Sequence, residues 1–320
     1  MQRILVTGAA GFIGFHLCRA LLNEGNEVLG LDNLNDYYDP ALKLARLALL
    51  EGSSGFQFVR AELARADELR QHFARFNPQR VVNLAAQAGV RHSLTHPHAY
   101  GESNLTGFLN ILEACRHTPS VEGLVYASSS SVYGGNTKVP FSESDPVDRP
   151  VSLYAATKKA NELMAHVYHH LYGLRATGLR FFTVYGPWGR PDMAYYDFTR
   201  AILAGQPIRV FNHGRMRRDF TWVEDVVEGI RAAIARNHDW GVFNLGNNRP
   251  VALLDFIRLI EQAAGRPAQL RMEEMQPGDV PETWADLEAS RAALGYQPRT
   301  PLEEGIPRFV EWYRDYHGQG

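Results

Sequence analysis

A short apolar strand that leads directly into a glycine-rich turn and a helix is the feature that most constrains this chain. Ile4–Thr7 is an apolar run, Gly8, Gly11 and Gly14 follow it at GxxGxxG spacing, and Phe12–Asn23 has the apolar spacing of a helix. Glycines at this spacing permit a tight turn and a close helix–strand contact. The free N–H groups at the start of the helix favour a phosphate group. The sequence therefore predicts the first strand–helix unit of a nucleotide-binding sheet.

The same alternation continues through the first half of the chain. Further short apolar runs, with helical patterns between them, are Glu27–Leu31, Phe56–Arg60, Arg80–Ala85, Gly123–Ser128 and Ala176–Phe182. Continuous apolar strands separated by helices are typical of a parallel sheet that is buried on both faces. We therefore predict an α/β fold with a Rossmann-type, doubly wound parallel sheet.

The pattern changes after Gly186-Pro187. Proline and glycine become frequent, the strands are short, and the helical patterns at Leu253–Ala264 and Leu302–Tyr316 stand apart from one another. We predict a dinucleotide-binding domain over residues 1–182, to which part of 211–245 returns. Residues 183–320 are then mainly a smaller C-terminal α/β lobe that binds the substrate.

The composition excludes several classes of protein. The 320 residues carry 33 Lys and Arg against 35 Asp and Glu, and this balance argues against a partner made of nucleic acid. No apolar run is long enough to span a membrane, and Arg3–Val6 begins the first strand without a leader, so we expect a cytoplasmic protein. Cys18 and Cys115 lie in helix-like patterns and the histidines lack ligand spacing, so no disulfide and no metal site are predicted.

The choice of dinucleotide depends on the end of the second predicted strand. Asp32 stands there, about 20 residues after the glycines. A carboxylate at this point can accept hydrogen bonds from the adenosine ribose, and it would repel a 2′-phosphate. The sequence therefore predicts NAD as the cofactor and disfavours NADP.

A tyrosine and a lysine four residues apart are the candidate catalytic pair. Tyr154 and Lys158 share one face of a predicted helix. An ammonium about 5 Å from a phenol, at an effective dielectric constant near 20, lowers the phenol pKa by about two units. We therefore expect Tyr154 to accept a proton from a substrate hydroxyl. Ser128–Ser131 follow a predicted strand, where a serine hydroxyl can bridge Tyr154 and the substrate oxygen.

These motifs together resemble the extended short-chain dehydrogenase/reductase family, which includes the NAD-dependent epimerases and dehydratases. The resemblance rests on TGAAGFIG, Asp32, NLAA at 83–86, Asn104, SSSSVYG, YAATK and RFFTVYGP at 180–187. It implies that Ser129, Tyr154 and Lys158 are catalytic. It also implies that NAD contacts Gly8, Gly11, Phe12, Ile13, Gly14, Asp32, Asn33, Leu63, Leu84, Ala85, Ala86, Asn104, Tyr154, Lys158 and Phe181. One departure is Glu62, because the family often has aspartate at this position.

Three later segments resemble the uracil, diphosphate and ribose elements of enzymes that act on UDP-sugars. They are QPIRVF at 206–211, RRDFTWV at 217–223 and MQPGDVP at 275–281. The resemblance places Val210 in the uracil element and Asp279 at the uridine ribose. Arg218 is the candidate for the diphosphate, because a guanidinium can bind phosphate oxygens in a bidentate way.

Four segments resemble one subfamily, the UDP-glucuronate 4-epimerases. They are LDNLNDYYDPALKLARLALL at 31–50, AAQAGVRHS at 85–93, GPWGRPDMA at 186–194 and MQPGDVPET at 275–283. This resemblance implies a substrate with a carboxylate at C5. Arg190 is the first candidate to bind it, with Thr183, Ser130 and Ser131 as hydroxyl donors. Arg91 is a second candidate, although a salt bridge within a loop explains it equally well.

The sequence leaves some alternatives open. A UDP-glucose 4-epimerase is the nearest rival and differs mainly at C5. UDP-glucuronate decarboxylases and sugar 4,6-dehydratases usually have an acidic residue where this chain has Ser128–Ser131, and a non-catalytic NAD-binding regulator would not need the serine, tyrosine and lysine trio. The apolar stripes of Asn104–Cys115 and Ala155–Tyr172 fit either a homodimer, as the family implies, or burial within one subunit.

Overall fold

The computed structural model describes residues 1–276 and 278–318. The strands are β1 (Arg3–Thr7), β2 (Glu27–Asp32), β3 (Phe56–Arg60), β4 (Arg80–Asn83), β5 (Gly123–Ser129), β6 (Ala176–Phe181), β7 (Thr183–Tyr185), β8 (Pro207–Val210), β9 (Arg217–Trp222), β10 (Trp240–Leu245), β11 (Pro250–Ala252) and β12 (Gln269–Met272). The α-helices are α1 (Phe12–Asn23), α2 (Pro40–Glu51), α3 (Ala66–Phe76), α4 (His92–Thr95), α5 (Pro97–Tyr100), α6 (Gly107–Arg116), α7 (Leu153–Tyr172), α8 (Ala194–Leu203), α9 (Val223–Arg236), α10 (Leu253–Ala264), α11 (Glu288–Leu294) and α12 (Leu302–Tyr316).

A parallel sheet of strand order β3-β2-β1-β4-β5-β6-β10 forms the centre of the part of the chain that the structure describes. The chain builds outward from β1 to β3 and then crosses to β4 on the other side of β1. At such a reversal of direction a crevice opens beyond the carboxyl ends of the strands, and ligands bind there. The predicted α/β fold with a doubly wound parallel sheet is confirmed.

Helices cover both faces of this sheet, which explains why its central strands are apolar throughout. On one face α1 and α9 pack over residues such as Val6, Val82 and Leu179. On the other face α3, α6 and α7 enclose Leu5 and Val81. A side chain on either face of β1 or β4 is therefore removed from water, which stabilises the fold by about 25 cal/mol per Å² of apolar area.

A second core lies in the C-terminal part of the chain. Strands β11, β9 and β7 form one small sheet, and β12 pairs with β8 in another. Aromatic side chains fill the space between these sheets and α8, α10 and α12, and the rings of Phe220 and Phe256 stack 4.2 Å apart. Helix α9 and strand β10 lie between β9 and β11 in the sequence, and β10 pairs in parallel with β6 of the large sheet.

Other sequence expectations concern single features. No helix within residues 1–276 and 278–318 has the length and apolarity needed to cross a membrane. The same described residues contain no cluster of three His, Cys, Asp or Glu side chains that could hold a metal ion. Cys18 and Cys115 are both buried as free thiols.

Candidate active site

A cavity of about 820 Å³ opens at the carboxyl ends of the large sheet, between that sheet and the C-terminal region. Its lining brings together residues from almost every motif that the sequence analysis selected. The predicted site residues that line it are Gly8, Gly11, Phe12, Ile13, Gly14, Asp32, Asn33, Leu63, Leu84, Ala85, Ala86, Ser129, Ser130, Ser131, Tyr154, Lys158, Phe181, Thr183, Arg190, Arg218 and Asp279.

The glycine turn is shaped by close contacts of the backbone. A Cβ atom at Gly14 would lie 2.0 Å from the carbonyl oxygen of Gly8, and one at Gly8 would lie 2.9 Å from the nitrogen of Ala85. Gly8 also has a φ of +71°, which favours glycine. Helix α1 begins after Gly11, and no side chain caps its first N–H groups. These donors therefore remain available to a pyrophosphate, and the turn fits a dinucleotide.

Asp32 lies at the end of β2, beside this turn. Its carboxylate accepts hydrogen bonds from the N–H groups of Ala10 (3.2 Å) and Leu34 (2.9 Å). The next residue, Asn33, donates to the carboxylate of Glu62 at 2.8 Å, and Glu62 also lines the cavity. Although Glu62 replaces the aspartate that is frequent in the family, it still places a carboxylate on the cavity wall, where Asn33 hydrogen-bonds to it.

Lys43 of α2 is a lining residue that the sequence analysis did not select for the site. Its Nζ donates to the backbone carbonyl (2.8 Å) and side-chain oxygen (2.7 Å) of Asn35. Burial lowers its pKa, and the nearby Asp32 acts in the opposite direction. A signal was present, because Lys43 is one of four lysines in a chain that otherwise uses arginine.

The catalytic candidates meet where β5 faces the first turns of α7. Lys158 is 3% exposed, and its Nζ donates to the carbonyl oxygen of Ala127 at 2.9 Å. Burial lowers its pKa to about 8. The hydroxyl oxygen of Ser129 accepts hydrogen bonds from both the N–H (3.1 Å) and the O–H (2.9 Å) of Ser131. The predicted serine, tyrosine and lysine trio therefore lies in one cavity.

From the sequence we expected the Lys158 ammonium to lower the Tyr154 pKa, and the structure shows a different arrangement. Burial raises the pKa of Tyr154, while the positive charge of Arg190 and the hydroxyl of Ser129 act to lower it. The Lys158 ammonium lies 6.0 Å from the centre of the Tyr154 ring, and its Nζ hydrogen bond goes to the β5 backbone instead. Burial therefore dominates the Tyr154 pKa, and the nearby charge that opposes it is that of Arg190.

A charged cluster at the substrate side surrounds Arg190. Its Nε and Nη2 donate to the two carboxylate oxygens of Asp192 at 3.0 and 2.5 Å, and Tyr37 donates its hydroxyl to the same carboxylate at 2.9 Å. Burial lowers the pKa of Arg190, but the Asp192 carboxylate outweighs burial and holds the guanidinium charged. Tyr37 and Asp192 both line the cavity and were not selected from the sequence.

The diphosphate and ribose candidates are held by the segment that contains residues 278–281. Arg218 donates through Nη2 to the carbonyl of Val280 at 2.7 Å and through Nη1 to that of Pro281 at 3.1 Å. Asp279 accepts a hydrogen bond from Arg91 at 2.7 Å, so the salt-bridge interpretation of Arg91 describes this structure. Pro277 of the same motif lies outside the described residues.

Two predicted site residues do not line the cavity. Asn104 is 2% exposed, and its side chain accepts from the N–H of Gln87 (2.8 Å) and donates to the Gln87 carbonyl (3.0 Å). It fixes a neighbouring segment whose Gln87 side chain does line the cavity. Val210 is fully buried in the C-terminal core, while Arg209 and Phe211 on either side of it line the cavity.

Comparison with known proteins identifies the family. Residues 4–246 match the model of the NAD dependent epimerase/dehydratase family. The chain belongs to this family. It is 50% identical to UDP-glucuronate 4-epimerase 4 of Arabidopsis thaliana, with 98% of this chain and 76% of that protein covered.

Solved structures of the same family have the same fold. A UDP-glucuronic acid 4-epimerase from Bacillus cereus, in complex with UDP-glucuronic acid and NAD, superposes with a TM-score of 0.92 at 34% identity, covering 98% of this chain and 99% of that one. A UDP-glucose 4-epimerase from Thermotoga maritima with UDP-glucose has a TM-score of 0.91 at 29% identity, covering 98% of this chain and 99% of the other. The predicted family is therefore confirmed.

Proposed function

We propose that this chain is a UDP-glucuronate 4-epimerase, which interconverts UDP-glucuronate and UDP-galacturonate. The observation that carries this proposal is the guanidinium of Arg190, which lines the same cavity as Tyr154 and is oriented by two hydrogen bonds to Asp192. A carboxylate at C5 of a sugar whose C4 hydroxyl faces Tyr154 lies within reach of such a charge. The identity of 50% to a plant UDP-glucuronate 4-epimerase supports the same function.

NAD is the cofactor that the cavity fits. The uncapped first turn of α1 would hold the pyrophosphate, Asp32 would accept the hydroxyls of the adenosine ribose, and Lys158 would hold the other ribose. When bound, NAD supplies the acceptor and later the donor of the hydride at C4.

The residues of the chain supply the proton chemistry. Tyr154 takes the proton of the C4 hydroxyl through its phenolic oxygen and returns it when the sugar has turned its other face. Ser129 can bridge this oxygen and the substrate oxygen. The buried ammonium of Lys158 supplies a compact positive charge beside Tyr154, which an arginine with its wider planar fork would not reproduce.

The uronate creates a second requirement. A sugar with a C4 ketone and a C5 carboxylate is a β-keto acid, which can lose CO2. We propose that Arg190, with the hydroxyl of Thr183, holds the carboxylate in an orientation that disfavours cleavage of the bond to C5. Arg190 is itself fixed by Asp192, so the charge that meets the carboxylate has a defined direction.

The test is product identification by NMR after incubation with UDP-glucuronate and, separately, with UDP-glucose. We expect UDP-galacturonate from the first and much slower conversion of the second. An Arg190→Ala variant is expected to lose epimerisation of UDP-glucuronate and to release a pentose product. Efficient conversion of UDP-glucose alone would instead favour a UDP-glucose 4-epimerase, a function that one structural neighbour carries.

We further propose which parts of the chain bind the cofactor and the substrate, and in which oligomeric state the protein functions. Residues 1–182, together with α9 and β10, form the cofactor unit, and the rest of 183–320 forms most of the UDP-sugar lobe. The protein is proposed to be cytoplasmic and homodimeric. Support for the dimer comes from the exposed apolar stripe on α6 and α7, where Leu109, Leu163, Val167 and Leu171 are 41–60% exposed.

A further inference from the structure

The fully buried guanidinium of Arg46 is placed between the cofactor turn and the turn that carries Arg190. Arg46 lies in α2 and is 0% exposed. Among residues 1–276 and 278–318, no carboxylate forms a salt bridge with it. Buried arginines are rare without an ionic partner, because removal of the charge from water is costly. The partners that compensate for this cost therefore indicate what the side chain does.

Neutral oxygen atoms accept hydrogen bonds from all three nitrogens of the Arg46 guanidinium. Nη1 donates to the carbonyl of Ala10 at 2.9 Å and to the hydroxyl of Tyr38 at 2.7 Å. Nε and Nη2 donate to the carbonyl of Trp188 at 3.0 and 2.6 Å, and Nη2 also donates to that of Gly189 at 3.2 Å. These five bonds match the five N–H donors of a guanidinium.

Both backbone segments that Arg46 joins belong to the site. Ala10 lies within the glycine turn, and its own N–H donates to Asp32. Trp188 and Gly189 immediately precede Arg190. Trp188 has a φ of +62°, a left-handed conformation that is strained for a bulky side chain, and its carbonyl receives two of the Arg46 bonds. Arg46 therefore holds in place a strained turn that ends at the proposed carboxylate-binding residue.

A second side chain of the cofactor domain reinforces this contact. His16 of α1 lies 2.9 Å through Nε2 from the carbonyl oxygen of Pro187. Burial lowers the pKa of His16 to about 4, so its ring is neutral at physiological pH. Carbonyls of three successive residues, 187 to 189, are thus bonded to side chains from α1, which follows the glycine turn, and from α2, which contacts α1.

We propose that Arg46 is a positioning residue that fixes the direction of Arg190 relative to the bound dinucleotide, and so contributes to recognition of the substrate carboxylate. The inference rests on the proposed function. An ammonium cannot reach Ala10, Trp188 and Gly189 from one point, so Arg46→Lys should loosen the turn while it keeps the charge. Carboxylate recognition should weaken, and binding of the uridine diphosphate portion should not.

The experiment measures binding in the Tyr154→Phe background, so that turnover does not interfere. Titration calorimetry on the protein with bound NAD gives the affinities of UDP-glucuronate and of UDP alone, for chains with Arg46 and with Arg46→Lys. We expect Arg46→Lys to weaken UDP-glucuronate binding about tenfold and UDP binding less than twofold. Equal weakening of both ligands, or of neither, would overturn the positioning role.

Two further variants keep the test decisive. Arg80→Lys is the matched control, because Arg80 is 8% exposed at the opposite, amino-terminal end of β4. It should leave the ratio of the two affinities unchanged. If Arg46→Lys does not fold, His16→Phe removes the bond to Pro187 and should weaken UDP-glucuronate binding about threefold with UDP unaffected. An unchanged ratio in His16→Phe would then overturn the proposal.

Failure of the proposed function gives a different result. If the wild-type chain does not convert UDP-glucuronate and binds it no better than UDP-glucose, the proposed function fails whatever Arg46 does. If the wild type converts UDP-glucuronate and the affinity ratio is insensitive to Arg46, only the positioning role is wrong.

Discussion

The cofactor side and the substrate side of the cavity are built by different means. On the cofactor side, backbone atoms define the shape: Gly8, Gly14 and Ala85 lie so close together that a single Cβ would collide with a neighbouring chain segment. On the substrate side, paired charges define it, with Arg190 on Asp192 and Arg91 on Asp279. Each side combines a local contact with a distant one. The Gly8–Gly14 contact and the Arg190–Asp192 pair each lie within one short motif, whereas Ala85 and Asp279 reach their partners only through the fold.

The meeting point of the two sides should be the most sensitive position. Tyr154→Phe removes the phenolic oxygen that we propose to move the C4 proton, so we expect kcat to fall by about 10³- to 10⁴-fold. The NAD content of the purified protein should stay within twofold, because the rest of the ribose contact remains. Coupled assay of product formation and absorbance of released NAD measure the two quantities. Retention of a tenth of the activity would exclude Tyr154 as the proton acceptor.

One added methyl group should disrupt the close backbone contacts that shape the cofactor side. In Gly14→Ala the new Cβ would lie 2.0 Å from the Gly8 carbonyl, a backbone atom that cannot rotate away. We expect loss of bound NAD and a decrease of about 2–3 kcal/mol in the free energy of unfolding.

A matched glycine provides the control for this prediction. Gly52 ends α2 with an ordinary helical φ, and a Cβ there would meet no atom within 4 Å. Gly52→Ala should therefore keep both NAD and stability. If Gly14→Ala also retained NAD, the close contact would not be what shapes the turn. Denaturant titration and the absorbance of bound cofactor check both variants.

The contact between His16 and Pro187, which joins the two sides of the cavity, should make the stability of the protein depend on pH. Burial lowers the pKa of His16 to about 4 against an ordinary value near 6.5; Arg19 and Arg46 also lower it, while the bond to Pro187 and Glu224 raise it. Because the unfolded chain takes up this proton first, the free energy of unfolding should fall by about 3 kcal/mol between pH 6.5 and pH 4.

The variant His16→Gln isolates this effect, since glutamine does not titrate. Its free energy of unfolding should change less over the same pH range than that of the wild type, and the two curves should diverge below pH 6.5. Parallel curves from chemical denaturation would show that His16 is not neutral and buried in solution.

The smallest effect is expected at the residue that departs from the family pattern. Glu62→Asp shortens the side chain and breaks its 2.8 Å hydrogen bond to Asn33, but it leaves a carboxylate at the cavity wall. Affinity for NAD should change by less than about fivefold, since half-buried polar contacts of this kind contribute about 1 kcal/mol or less. A larger loss, measured by titration of cofactor-depleted protein, would make the pairing with Asn33 essential to the cofactor side.

The sequence predicted the cofactor side in more detail than the substrate side. Asp32 and the glycines line the cavity together, because strand, turn and helix follow one another directly in the chain. Tyr37, Lys43 and Asp192 were not selected. The bond between Tyr37 and Asp192 spans 155 residues and leaves no local pattern, whereas Lys43 bonds to Asn35 only eight residues away. The alternation of side chains along β8 turns Val210 inward and leaves Arg209 on the cavity, which Phe211, just after the strand, also lines.

The sequence by itself predicted the parallel sheet, the glycine turn and the Tyr154–Lys158 pair, because each depends on a local period or a fixed spacing between nearby residues. The tertiary structure decided which charges face one another. It placed the Arg190 guanidinium where its charge opposes the rise that burial gives the Tyr154 pKa, and it buried Arg46 between two turns that lie more than 170 residues apart in the chain. Such contacts carry no local pattern, since only the crossing of chain segments at the edge of the sheet brings their atoms together.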